Sequence, residues 1–169
     1  LPANQFLGLV PQAVDYAGLR NQLIQRMPKT EQNLALGGWL PENTAVPIQK
    51  GAGQYRTLGR AVVASQLSQL SQAINRSYSR LSAPGVLEEL REVSMKMYGK
   101  AEGQSPLPMA LVISSVAGGS GAGIYLDVVE ALKSLSADFE KRTQVLLFGP
   151  DVFNNIPQGL RDSIPANAL

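Results

Sequence analysis

The segment from Met109 to Leu135 constrains the fold more than any other part of the chain. Met109-Ala110-Leu111-Val112-Ile113 is a short apolar run with β-branched residues, the pattern of a strand buried on both faces. It passes through Ser114-Ser115-Val116 into Ala117-Gly118-Gly119-Ser120-Gly121-Ala122-Gly123, after which Ile124, Val128, Ala131, Leu132 and Leu135 repeat on one helical stripe. Four glycines among these seven loop residues let backbone N–H groups come close to a ligand. A helix N-terminus beside such a loop adds the positive end of a dipole, so the segment reads as an anion site suited to phosphate. A side chain at Gly119 is then expected to block the ligand while leaving the fold intact. A second reading of the glycines stays open: a turn that only lets the helix pack closely.

Spacing excludes two common phosphate loops. A Walker loop ends in Gly-Lys-Ser/Thr, and no lysine lies between Met109 and Tyr125. The dinucleotide fingerprint G-x-G-x-x-G fits Gly118–Gly123 only out of register, and it belongs early in its domain rather than late. Its acidic ribose reader belongs about 20 residues past the glycines. That window holds Lys141-Arg142-Thr143-Gln144, with no carboxylate until Asp151. An oxidoreductase of the dinucleotide type is therefore disfavoured. Upstream, Gly51-Ala52-Gly53-Gln54 precedes Gly59-Arg60-Ala61 and a long helical pattern, which gives a second candidate loop. Taken alone it reads as a flexible turn capped by a helix.

The two loops, in this order and with a helix and a strand between them, resemble the tubulin/FtsZ family. Gly118, Gly119, Gly121 and Gly123 match that family's G-G-G-T-G-T/S-G segment, with Ala117 for its first glycine, Ser120 for the threonine and Ala122 for the second hydroxyl residue. Gly51, Ala52, Gly53 and Gln54 are similar to the loop that faces the terminal phosphate. The resemblance, closest to the tubulin-like proteins of bacteria, implies GTP or GDP as ligand, with magnesium accompanying GTP. It further implies a cytoplasmic, cytoskeleton-type GTPase that self-associates into filaments or oligomers, Asp151 as a sugar contact, and hydrolysis only when subunits stack. Three departures are visible. The family's first phosphate loop is absent, Ile164 stands where the segment Glu-Pro-Tyr-Asn-Ala has its ribose-contacting glutamate, and the acidic water-activating loop falls beyond Leu169. The chain by itself is therefore not expected to hydrolyse GTP, and the catalytic groups are unassigned. The rival reading is an interaction or scaffold domain that keeps the fold without hydrolysis, as Ala117 and Ala122 suggest.

Composition narrows the chemistry. The 169 residues are one domain's length, here residues 1–169, with 44% apolar and 17% charged residues. A net charge of +2, with the basic residues scattered, argues against nucleic acid as a partner. The absence of cysteine and histidine excludes disulfides, histidine-dependent triads and the usual zinc ligands. No run approaches the roughly 18 apolar residues of a membrane span. The missing initiator methionine and the helix-like start at Pro165–Leu169 suggest a piece of a longer protein.

Along the chain, Phe6–Val10 reads as a strand, Tyr16–Met27 as a helix stopped by Pro28, and Leu34–Pro41 as a glycine-broken loop or edge segment. Trp39 reads as a packing plug. Thr57–Leu81 carries one long helical rhythm and Val86–Tyr98 another, with Leu87, Leu90 and Met97 inward. Asp127, Glu130, Asp138 and Glu140 read as a solvated face. Thr143–Phe148 is the next strand, ended by Gly149-Pro150-Asp151, and two strands joined by a helix make a parallel pair. The expected whole is a three-layer α/β domain with a mostly parallel sheet, an incomplete tubulin/FtsZ-like, Rossmann-like nucleotide-binding domain.

Overall fold

The computed structural model describes residues 5–40, 48, 52–53, 55–100 and 108–153. Gly51, Gln54 and the Ile164–Ala168 segment lie outside them. The described chain is mixed α/β, mostly helical, around a two-stranded parallel sheet. Its first helix, α1 (Tyr16–Arg26), starts at Asp15, whose carboxylate accepts the Gly18 N–H at 2.8 Å, a side-chain cap on an otherwise orphaned donor. Tyr16, Leu19 and Leu23 recur on its inner face and are buried. Pro28 ends this helix and at once begins α2 (Lys29–Gly37), because proline lacks only a donor that the first turn does not use. The glycine-broken stretch expected as a loop is thus helical to Gly37. Gln32 secures the corner, its amide donating to the Ile24 and Met27 carbonyls.

The rhythm expected as one helix is two, α3 (Arg56–Ser65) and α4 (Leu67–Leu81). The break falls at Gln66, with φ −117° and ψ 13°, whose side-chain amide donates to the Val10 carbonyl at 2.9 Å. Residues 6–10 pair with no strand among the described residues; they run as an irregular segment tied to this break. α5 (Pro84–Tyr98) opens on proline and closes on Gly99, which takes the left-handed φ of 69° that favours glycine. The expectation of an inward face on α5 fails, since none of its residues is buried.

β1 (Ala110–Ser115) and β2 (Thr143–Phe148) pair in parallel, Ala110 opposite Thr143 through Ser115 opposite Phe148. α6 (Gly119–Leu135) and α7 (Asp138–Arg142) connect them. β1 is not buried on both faces: Leu111 and Ile113 are 58% and 59% exposed, while their neighbours are half-covered. The core lies instead between α1, the end of the 29–40 segment, and α3, with Tyr16, Leu19, Leu40, Ile48 and Leu58 sealed from solvent. α3 and α6 make the most extensive contact between elements, and that contact positions the glycine loops.

Candidate functional site

The glycine segment is less of a loop than its composition suggests. α6 begins at Gly119, so Gly119 to Gly123 form its first turns, and only Ala117 and Gly118 remain outside. Ser120 is exposed, whereas Ala117 and Ala122 are buried. The preceding turn is pinned to the sheet, with Val116 N–H donating to the Phe148 carbonyl at 3.1 Å and Ala117 N–H to Ser115 Oγ at 3.0 Å. Gly149 and the 3-10 turn Pro150–Phe153 leave the same end of the sheet from β2. Asp151, exposed there, therefore shares the carboxyl edge of the two strands with the glycine turn, the end at which open α/β sheets bind ligands.

Most of these glycines are explained by packing. A Cβ built on Gly119 would stand 2.5 Å from the Tyr55 nitrogen. One on Gly121 would meet the Ser115 carbonyl oxygen at 2.5 Å. On Gly123 it would meet the Arg56 carbonyl oxygen, and on the facing helix a Cβ at Gly59 would meet the Gly119 carbonyl oxygen. These partners are backbone and have no rotamer with which to yield. The expectation that a side chain at Gly119 spares the fold is therefore overturned: Gly119 is where the Tyr55 backbone crosses the start of α6. Gly118 differs from the rest, with nothing within 4 Å of its Cβ position. Its extended φ of −105° and ψ of 153° suit any residue.

The two candidate loops do meet. Gly53, held at a left-handed φ of 54°, turns its carbonyl onto the Gly119 N–H at 2.8 Å. Ala52 N–H reaches Ser120 Oγ at 3.4 Å, and Tyr55 N–H closes the turn on the Ala52 carbonyl at 3.0 Å. The α6 N-terminus has no side-chain cap. Of its first donors, Gly119 is taken by Gly53, while the Ser120 and Gly121 N–H groups find no acceptor among the described residues. Between the loops lies a cavity of about 180 Å³ lined by Val10, Ile48, Ala52, Val62, Ser120 and Ile124. It is smaller than the roughly 300 Å³ at which ligand pockets begin and is apolar apart from Ser120. Gly118, by contrast, borders open space, and Ser120 beside it is exposed. A groove of about 740 Å³ sits at the other end of β1, lined by Ile74, Arg80, Met109, Leu111 and Phe139 among others, and touches neither loop.

A further cluster escaped the sequence reading. Asp127 is half-buried rather than fully solvated: its Oδ2 is buried without a hydrogen bond, 4.0 Å from Arg60 Nε. Burial pushes the Asp127 carboxyl above the usual range, and the Arg60 guanidinium opposes this in part. Arg60 also lies 4.8 Å over the ring of Trp39, which packs on the core edge as a plug. The signal was present in the spacing, since Gly119, Gly123, Asp127 and Ala131 recur every fourth residue and so share one face of α6.

The fold to this point is a helix-rich α/β unit whose two glycine turns converge on one helix N-terminus at the carboxyl edge of a parallel sheet. Residues 5–169 match the family model described as tubulin like, and the chain belongs to that family. No curated protein and no solved structure matches it. Among the described residues no group of acidic, histidine or cysteine side chains could hold a metal, and no helix is long and apolar enough to cross a membrane.

Proposed function

We propose that this chain is part of the nucleotide-binding domain of a cytoplasmic, bacterial tubulin/FtsZ-related protein, and that its glycine turns bind the phosphates of GTP or GDP. The observation that carries this reading is the convergence of Ala52–Gly53 with Gly118–Ser120 at the uncapped start of α6. The open space over Gly118 fits a phosphate oxygen, and the Ser120 hydroxyl and the Ser120 and Gly121 N–H groups supply donors. Asp151 stands at the same sheet edge as the sugar contact. In this reading the sheet continues into three layers in the intact protein, and self-association into filaments completes a catalytic site that this chain does not contain. Magnesium would arrive with GTP, held by its phosphates rather than by a carboxylate cluster of these residues.

A second reading has its own support. Gly119, Gly121, Gly123 and Gly59 are each accounted for by close packing, and Ala122, in the place of the family's second hydroxyl residue, is buried. A scaffold domain that keeps the fold without nucleotide would retain these residues for packing alone. Thermal-shift and calorimetric titration of the intact protein separates the readings. Stabilisation by GTP or GDP but not by NAD(P) supports phosphate binding, stabilisation by NAD(P) alone refutes it, and no response to any nucleotide favours the scaffold.

A further inference from the structure

The features of α5 conflict unless something covers it. The helix is well terminated, by Pro84 at its start, by Gly99 in the left-handed region at its end, and by Ser94 Oγ donating to the Lys100 carbonyl at 3.0 Å. Val86, Leu87, Leu90, Val93, Met97 and Tyr98 fall on one side of it, a stripe wide enough for a core-facing helix. Yet Leu90 is 51% and Met97 67% exposed, and among the described residues the main neighbour of α5 is α4. An apolar stripe on a capped helix, left in water, marks an interaction surface.

The charges beside the stripe select its occupant. Glu89 and Lys96 are seven residues apart, hence on the same flank, with Glu89 toward the helix start and Lys96 toward its end. When two such helices pack antiparallel, each flank faces the same flank of its partner. Glu89 of one copy then meets Lys96 of the other, twice by symmetry. The same arrangement sets Leu87 opposite Met97 and Val86 opposite Tyr98, so the stripe is complementary to itself. Among the described residues Lys96 pairs with Glu92 on its own helix, 3.9 Å away and exposed, a pair weak enough to exchange. We infer that α5 is a homodimerisation helix, pairing antiparallel with α5 of a second copy of this chain. A helix of 15 residues buries less than the roughly 1,200 Å² of a standard interface, so the dimer is a weak, reversible one. The surface is remote from the glycine turns in sequence and does not depend on nucleotide.

Sedimentation velocity of the intact protein from low to high micromolar concentration tests this without any nucleotide. We expect a concentration-dependent dimer that Leu90→Asp abolishes, with the circular dichroism of the variant unchanged. Glu89→Lys should weaken the dimer several-fold by setting lysine against Lys96, and the double variant Glu89→Lys/Lys96→Glu should recover it. Three outcomes overturn the inference. They are a dimer indifferent to Leu90→Asp, a double variant no stronger than Glu89→Lys, or loss of fold on Leu90→Asp together with no dimer in the parent. The last would mean that another part of the same protein covers the stripe. Failure here leaves the nucleotide reading untouched, because the titrations above use neither these residues nor self-association.

Discussion

Replacing Gly123 by alanine tests whether packing of α3 on α6 is what these glycines serve. The new Cβ would lie 2.3 Å from the Arg56 carbonyl oxygen, 2.7 Å from the Arg60 nitrogen and 2.9 Å from the Gly59 Cα. Ordinary contact starts at 3.4 Å, so the first approach is roughly 1 Å too close and the atoms it meets are fixed in helix α3. Relief requires the two helices to separate along the most extensive contact in the fold. Overpacking of this kind costs typically 1–3 kcal/mol, and backbone partners place it at about 3. Alanine in a helix interior recovers about 1 kcal/mol relative to glycine. The net loss is about 2 kcal/mol, or a fall in Tm of about 4–8 °C for a chain of this size. Thermal melts followed by circular dichroism, with urea unfolding for the free energy, measure both. Gly85→Ala, where nothing lies within 4 Å of the Cβ, is the control and should melt at or slightly above the parent. If Gly123→Ala melts no lower than Gly85→Ala, α3 is not seated on α6 as described, and the packing account of the glycines fails.

Three other substitutions follow from the same geometry. Gly118→Val should leave the unfolding free energy within about 0.5 kcal/mol of the parent, since its Cβ meets open space in extended backbone, while abolishing any stabilisation by GTP or GDP in a thermal-shift titration. Asp127→Asn should raise Tm at pH 7. The folded state holds the Asp127 proton more tightly than the unfolded chain does, so the charged form weakens the fold above its raised pKa, and the penalty disappears as pH falls toward the ordinary carboxylate value of about 4. Melts of both proteins across that range should converge at the acid end, and a variant equally or less stable at pH 7 would refute the sign. Leu58→Ala removes a side chain sealed in the core beneath α1 and should cost about 2–5 kcal/mol in urea unfolding.

After Met109 the extent and pairing of the strands are legible in the sequence, although the burial on both faces that the apolar run of β1 predicts is not met. β2 runs from Thr143 to Phe148 as its apolar run predicts, and its parallel pairing with β1 follows from the helix between them. Agreement fails where a partner distant in sequence decides. Gln66 looks like any other residue of a helical rhythm, and only its bond to the Val10 carbonyl, 56 residues away, marks the break between α3 and α4. The glycines of Leu34–Pro41 suggest a loop or edge segment, but Pro28 starts a helix and Gln32 anchors it, so Gly37 and Gly38 fall at its end. In the candidate site, the meeting of the two turns is legible only through the tubulin/FtsZ resemblance, which implies that both face the phosphates. The number of atoms behind each glycine was not, because composition is the same for a glycine facing a ligand and one facing the Tyr55 backbone. Asp127 was misread for a related reason: a carboxylate on an amphipathic helix looks solvated until the opposing helix is close enough to bury it.

The close packing also limits how the α6 N-terminus can serve an anion. A glycine-poor sequence would hold α3 away from α6 by the width of at least one methyl group per crossing, and the Ala52–Gly53 turn, which leads into α3 through Tyr55, would move with it. The glycines that exclude side chains from the crossing therefore also fix where that turn sits. It sits with the Gly53 carbonyl on the Gly119 N–H, the negative end of one dipole on the positive end of the helix. An anion approaching along the helix axis meets that carbonyl oxygen, and like partial charges repel. The approach left to it is lateral, over Gly118, where the Ser120 and Gly121 N–H groups are free of acceptors among the described residues and the Ser120 hydroxyl is exposed. If the turn takes a phosphate, as proposed, packing and binding divide the same seven residues between them. Gly119, Gly121 and Gly123 hold the helix where it is, whereas Gly118 has open space at its Cβ position and Ser120 beside it is exposed.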